Sequence, residues 1–221
     1  MAERITGHTE LIGLMAYPIR HSSSPAMQNE AFAKLGYDYA YLAFEVGADE
    51  IEDAVKAIRT LKMRGSNVSM PNKTLVGKYL DELSPAAELC GAVNTIVNEN
   101  GVLTGHITDG IGFVRNLKEH GVDVKGKKMV VLGAGGAATA IQVQCALDGA
   151  REISIFNIKD AFFERTLKTA EKIRKAVPEC VVNVYDIADT AKMTEEIQSS
   201  DIFANATIVG MKPMDDQSVC L

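Results

Sequence analysis

The chain has 221 residues, 47% hydrophobic and 24% charged, an ordinary globular balance with room for one large domain or two small ones. A formal net charge of −6 and the lack of any basic cluster exclude nucleic acid as a partner. No apolar run reaches the roughly eighteen residues of a membrane span, and "MAERITGHTELIGLMAYPIRHS" has no signal-peptide core, so a cytoplasmic protein away from membranes is expected.

In chain order, "ELIGLMAYPI" reads as a first strand and "SPAMQNEAFAKLG" as a helix ending at Gly36. "YDYAYLAFEV" has the aromatic and β-branched content of a second strand. "ADEIEDAVKAIRTLKM" is an amphipathic helix with Ile51, Ala54, Val55, Ile58 and Leu61 on one face. "GSNVSM" is a third strand that breaks at Pro71. Beyond it Leu75, Val76, Tyr79, Leu80 and Leu83 recur at helical spacing and predict a helix capped by Asn72. Lys73 would then stand in the first turn, where the macrodipole disfavours a cation by about 0.3–1 kcal/mol. "CGAVNTIVNENGVLTGHITD" reads as a hairpin around "NENG". Residues 1–109 thus form an α/β domain with a mixed sheet.

"GIGFVRNLKEHG" predicts a linker helix, closed by the turn "VDVKGKK", over residues 110–126. From residue 127 the pattern is βαβαβαβ. The strands are "MVVLG", "REISIFN", "CVVNVYD" and "DIFANAT"; the helices follow Gly135, run through "DAFFERTLKTAEKIRKA", and cover roughly "TAKMTEEIQS". This is the text of a doubly wound parallel sheet with fewer strands than the usual six, so the second domain, 127–221, is expected to be incomplete at its C-terminal end.

"GAGGAA" fits G-x-G-x-x-A, with Gly133 and Gly135 in the glycine positions and Ala138 small enough for close helix packing. It follows an apolar strand and opens a helix, the setting in which helix N–H groups receive a pyrophosphate. In "FNIKD", Asp160 either accepts hydrogen bonds from the adenosine ribose hydroxyls, which favours NAD, or caps the following helix. "HSSSP" offers three hydroxyls before a helix, suited to an N-cap or to a carboxylate. In "HITDG", Asp109 reads as an N-cap and His106 as a capping or solvent-facing side chain. Cys90, Cys145, Cys180 and Cys220 form no C-x-x-C pair and read as reduced thiols. The four histidines lack metal-ligand spacing, so no metal is expected.

Together "HSSSP", "NVSMPNK", "GAVNTI", "TDG", "GAGGAA" and "NATIVGMKP", in this order, resemble the shikimate/quinate dehydrogenases, most of all the bacterial branch that oxidises quinate as well as shikimate. The resemblance spans the whole chain. It implies a substrate domain and a dinucleotide domain, and a reaction interconverting shikimate or quinate with its 3-dehydro ketone using NAD or NADP. It implies that Ser22 and Ser24 hold the substrate carboxylate, and that Asn67, Ser69, Asn94 and Asp109 bind ring hydroxyls. Lys73 matches the catalytic lysine, with Asp109 as its partner. Gly133, Ala134, Gly135, Gly136 and Ala137 match the pyrophosphate loop; Asn157, Asp160 and Thr207 match further cofactor contacts.

Ile107 stands where most members carry asparagine, Ile158 replaces the arginine of an "NR" pair, and Ile208 replaces a lysine of some relatives. These departures bear on NADP more than on the chemistry and leave NAD as the expected cofactor. Family members continue for several dozen residues beyond the point matching Leu221, supplying the last strands, a substrate-contacting glutamine and returning helices. A relative that binds substrate or dinucleotide without turnover is the alternative; the serine cluster speaks against a methylenetetrahydrofolate-type dehydrogenase. A homodimer is expected from exposed sheet edges.

Free lysine is too basic for this task by roughly three pK units. A helix dipole supplies at most about 0.7 of a unit, and a neighbouring aspartate works the other way. Lys73 is therefore expected to become an effective base only with substrate and oxidised cofactor bound.

Overall fold

The structure is a computed structural model and describes residues 5–160 and 163–219. The chain divides into two compact units, Met1–Ile107 and Thr108–Leu221.

The first unit holds a six-stranded mixed sheet built from β1 (Glu10–Ala16), β2 (Tyr39–Glu45), β3 (Gly65–Val68), β4 (Glu82–Leu83), β5 (Thr95–Glu99) and β6 (Val102–His106). Its order is β2-β1-β3-β5-β6-β4. β1 pairs in parallel with β2 and β3; β5 then runs antiparallel to β3, in the register Asn67↔Thr95, and to β6, its hairpin partner. α1 (Ser24–Leu35) ends at Gly36 in the left-handed conformation, φ 72°, as its sequence predicts. It packs Phe32 on the buried cluster of Leu14, Ala16, Ile19 and Tyr41. α2 (Ile51–Thr60) buries Ile51, Val55 and Ile58, members of the predicted face, while Leu61 is exposed. α3 (Pro85–Cys90), capped by the Ser84 hydroxyl accepting from the Ala87 N–H, and the two-residue β4 escaped the sequence reading because both are too short to establish a period.

The helix predicted after Pro71 does not form. Two 3-10 turns, Asn72–Thr74 and Val76–Tyr79, take its place, and Leu83 joins β4. Asn72 is not a cap either: it is fully buried, and its Nδ2 donates to the Val46 carbonyl at 2.8 Å. That tether draws the Asn72 side chain away from the cap position, and the helical spacing is realised as single turns. A three-residue turn has no macrodipole of consequence, so the unfavourable placement of Lys73 disappears with the helix.

The second unit is a four-stranded parallel sheet, β7 (Lys128–Leu132), β8 (Glu152–Asn157), β9 (Val181–Asp186) and β10 (Ile202–Asn205), in the order β10-β7-β8-β9. α5 (Gly136–Leu147), α6 (Phe163–Ala176) and α7 (Thr190–Gln198) are its crossovers. β7 is buried along its length, as a parallel strand covered on both faces must be. The first two residues of the long predicted helix after Asp160 lie outside the described residues.

The predicted linker helix, α4 (Asp109–Glu119), packs along α5 within this unit. Its approach explains the glycine of "TDG". A Cβ at Gly110 would strike the Ala140 carbonyl oxygen and come within 2.6 Å of Gln144 Cβ. Thr108 occupies the N-cap position, so Asp109 is the first helical residue rather than the cap.

Candidate active site

In the first unit, candidate residues gather where the parallel strands β1 and β3 end. Ser23 takes the N-cap position of α1 without a side-chain capping bond, while the Ser22 hydroxyl accepts from the Ser24 N–H at 3.2 Å. Ser69 follows β3 directly, its N–H bonded to the Met15 carbonyl at 3.0 Å, and its own carbonyl accepts from the Asn72 N–H at 2.9 Å. Lys73 comes next. Its carbonyl accepts from the Val93 N–H at 2.8 Å, which ties its turn to the segment leading into β5.

Asn67 is held by three partners. Its Oδ1 accepts from the Tyr41 hydroxyl at 2.7 Å, and its Nδ2 donates to the Asn94 carbonyl at 3.3 Å and to Thr95 Oγ1 at 3.1 Å. Thr95 in turn donates to Asn94 Oδ1 at 3.0 Å. Tyr41 is only 2% exposed, and burial pushes its phenol up to about 12, so it stays protonated and donates. Asn29 on α1 closes the circuit: it exchanges hydrogen bonds with both backbone groups of Tyr41 and donates to the Pro25 carbonyl. The α1 N-terminus bearing the serines, the strand end bearing Asn67, and Asn94 thus belong to one hydrogen-bonded network. Sequence reading missed Tyr41, Thr95 and Asn29. "NT" was in view as a motif, but Tyr41 and Asn29 carried no signal, because their partners lie 26 and 12 residues away.

In the second unit the glycine loop follows β7. Gly133 has φ 101°, and a Cβ there would crowd the Ala206 carbonyl at 3.1 Å and Thr207 Cγ2 at 3.2 Å. Its N–H donates to the Phe156 carbonyl at 2.8 Å, and its own carbonyl accepts from buried Gln142 at 3.0 Å. Gly135 precedes α5, Gly136 starts it, and apart from the adjoining backbone no atom of the described residues lies within 4 Å of a Cβ at either position. Ala138 is fully buried against the sheet.

Beside the loop is a hollow of about 460 Å³, lined by Gly133, Ala134, Gly135, Asn157, Thr207 and a mainly aliphatic wall that includes Ile158 and Ile208. Ala137 is exposed on the first turn of α5. Asp160 is exposed as well, two residues past Ile158, and does not line the hollow. Asn205 holds the far side by accepting from the Thr207 N–H and hydroxyl and donating to the Val209 carbonyl.

A glycine turn with positive φ, open space over the first helical turn, and a hollow at the C-terminal ends of parallel strands fit a dinucleotide. Among the described residues no three His, Cys, Asp or Glu side chains gather as a metal site, and no helix is long and apolar enough to cross a membrane.

Residues 14–96 match the shikimate dehydrogenase substrate binding domain family. A curated relative from Listeria monocytogenes serotype 4b, named shikimate dehydrogenase (NADP(+)), is 62% identical over 219 residues, 99% of this chain and 75% of that protein. The Streptococcus uberis protein of the same name is 58% identical over 221 residues, again 99% and 75% of the two chains. The crystal structure of shikimate 5-dehydrogenase from Listeria monocytogenes in complex with shikimate and NAD superposes with a TM-score of 0.95 at 62% identity, over 99% of this chain and 75% of that one.

Proposed function

The chain belongs to the shikimate dehydrogenase family, and we propose that it interconverts shikimate and its 3-dehydro ketone with a nicotinamide dinucleotide. The observation that carries this reading is identity above 60% sustained over 99% of the chain. Ser22 and Ser24 take the substrate carboxylate, and Asn67, Ser69, Asn94 and Asp109 take ring hydroxyls. Gly133, Ala134, Gly135, Gly136 and Ala137 receive the pyrophosphate on backbone N–H groups, with Asn157 and Thr207 as walls of the cofactor hollow. When bound, the dinucleotide supplies the hydride acceptor. As the carbinol C–H bond breaks, the hydroxyl proton passes to the Lys73 side-chain nitrogen, whose backbone turn is bonded to the Val93 N–H.

For the cofactor, the relatives' names favour NADP over the NAD preference read from Asp160. The position of Asp160 outside the hollow's lining supports that correction. A cytoplasmic setting is part of the reading, supported by the buried free thiols Cys145 and Cys180, which suit a reducing compartment. So is a homodimer, supported by β2 and β4 standing at the edges of the first sheet.

The test is initial-rate cofactor reduction with shikimate and with quinate, each under NADP⁺ and NAD⁺, on the chain and on Lys73→Ala. Turnover of shikimate is expected, fastest with NADP⁺. Lys73→Ala should lose about 10²–10⁴-fold in kcat while shikimate affinity is largely kept. A variant with wild-type kcat removes Lys73 from the chemistry; absence of shikimate turnover by the parent chain removes the reading.

A further inference from the structure

An asparagine amide has a donor pole and an acceptor pole of nearly equal shape, so a site that uses one must fix which way it points. In the first unit that choice is made by a backbone carbonyl and by two hydroxyls outside the expected substrate contacts. The Asn94 backbone carbonyl can only accept, and Asn67 Nδ2 faces it at 3.3 Å. The Tyr41 hydroxyl, on the other side, faces Asn67 Oδ1 at 2.7 Å. Both hydrogens of Asn67 Nδ2 are then committed, the second to Thr95 Oγ1 at 3.1 Å. Having accepted that hydrogen, the Thr95 hydroxyl points its own at Asn94 Oδ1, 3.0 Å away. Donation therefore runs one way, from Tyr41 through Asn67 and Thr95 to Asn94. Asn67 is left with acceptor capacity on Oδ1, and Asn94 turns its Nδ2 away from Thr95.

We propose that Thr95 is a positioning residue for substrate binding: its hydroxyl couples the amides of Asn67 and Asn94, so that Asn67 presents an acceptor and Asn94 a donor to adjacent ring hydroxyls. The proposal rests on the shikimate reading above and adds to it a residue that touches the two asparagines rather than the substrate. Thr95 suits the task because its place opposite Asn67 is set by the register of β3 and β5, not by a flexible loop. A hydroxyl is also the smallest group that accepts from one amide while donating to another.

The experiment compares the parent chain with Thr95→Val, Thr95→Ser and Tyr41→Phe. Valine keeps the shape and strand preference of threonine but removes both hydrogen bonds, so it isolates the coupling from the fold. For Thr95→Val, KM for shikimate should rise roughly tenfold, with kcat within about twofold and the dissociation constant for NADP⁺ unchanged. Thr95→Ser should restore KM to within about twofold. Tyr41→Phe, which removes only the first donor of the chain, should raise KM severalfold without a change in kcat.

Parent-like KM in Thr95→Val, failure of serine to rescue, or weakening of cofactor binding in step with substrate overturns the role of Thr95 while leaving the activity standing. A parent chain that neither binds nor turns over shikimate overturns the activity and the role together. Those two failures are read from different proteins and cannot be confused.

Discussion

The two units build their candidate sites from opposite materials. In the first, side chains make the site and also help hold it: Asn67 and Asn94 are at once expected neighbours of substrate and, joined through Thr95, members of a network that ties strands and helix together. In the second, backbone and absent side chains make the site, and the polar groups that hold the sheet lie elsewhere. Lys128 and Glu152 start β7 and β8, while the glycine loop follows the other end of β7. There Lys128 bonds Glu196 at 2.8 Å and Glu152 at 3.2 Å, Lys192 reaches the other oxygen of Glu196 at 2.7 Å, and Ser154 donates to Glu196 at 2.6 Å. The difference teaches that stability and ligand binding should be separable by mutation in the second unit and entangled in the first.

The largest effect expected from that contrast is at Glu196, whose side chain is 5% exposed. Glu196→Ala takes from Lys128 and Lys192 their shortest carboxylate contact, leaving them Glu152 and Glu195, removes the acceptor of Ser154, and should cost about 3 kcal/mol of stability. Below the new melting temperature, NADP⁺ affinity should be unchanged; a coupled loss of affinity would break the separation. The same carboxylate gives an acid signature. Burial pushes it up, but hydrogen bonds from Lys128, Lys192 and Ser154 outweigh burial and hold it down at about 2, whereas the unfolded chain takes up this proton near 4.5. Between those values the unfolded state binds more protons, so this stabilisation is complete above about 4.5 and is lost as pH falls towards 2. Among the described residues the first unit buries no carboxylate; its depressed acid, Asp81, is exposed and contributes little. Hydrogen exchange followed on acidification should therefore lose protection in β7–β10 before β1–β3.

In the first unit, Asn72 tests the entanglement. Its Nδ2 bond to Val46 holds the turn carrying Lys73, and its buried Oδ1 has no hydrogen-bond partner among the described residues. Asn72→Ala should cost about 1–2 kcal/mol, the loss of a buried hydrogen bond partly offset by removal of that orphan acceptor, and kcat should fall with it. Unchanged kcat in a destabilised variant would show that Lys73 is placed without Asn72.

Two glycines only two positions apart sharpen the other side. Gly133→Ala puts a side chain at φ 101° against Ala206 and Thr207, so stability should drop by about 1–3 kcal/mol and cofactor affinity with it. Gly135 has φ −71°, and a Cβ there meets no atom of the described residues within 4 Å beyond its chain neighbours, so Gly135→Ala should melt like the parent. The added methyl enters the space we propose for the pyrophosphate, and NADP⁺ affinity should fall by about tenfold or more. Equal melting losses for both would mean that the open space belongs to the protein and not to the ligand.

The same contrast governs how much could be read from sequence. The dinucleotide unit was legible because its signals are local: an apolar strand, glycines where a Cβ is excluded, then small residues opening a helix. Gly36 and the "NENG" hairpin were legible for the same reason. What failed was decided at a distance. Asn72 reads as a cap until Val46, 26 residues away, claims its side chain. Asp109 reads as a cap until the close packing of Gly110 on α5 fixes where α4 begins. Tyr41 reads as a strand aromatic until its hydroxyl meets Asn67. Asp160 drew attention as the acid after β8, but the hollow's wall ends short of it.

Ile158 carries the smallest expected change and bears on the cofactor itself. It is 61% exposed and lines the hollow next to Asn157, so a longer polar side chain there disturbs no packing. A 2′-phosphate prefers an arginine at this edge of the site, since a guanidinium meets phosphate with two parallel hydrogen bonds. Ile158→Arg should leave the melting temperature and NAD⁺ affinity near those of the parent and strengthen NADP⁺ binding. An exposed charge pair is worth no more than about 1 kcal/mol, so the gain should be roughly fivefold and should shrink as salt is added. A gain shared equally by NAD⁺ and NADP⁺ would place the arginine on the pyrophosphate, moving the adenosine ribose away from Ile158 and reopening which residue reads the 2′ position.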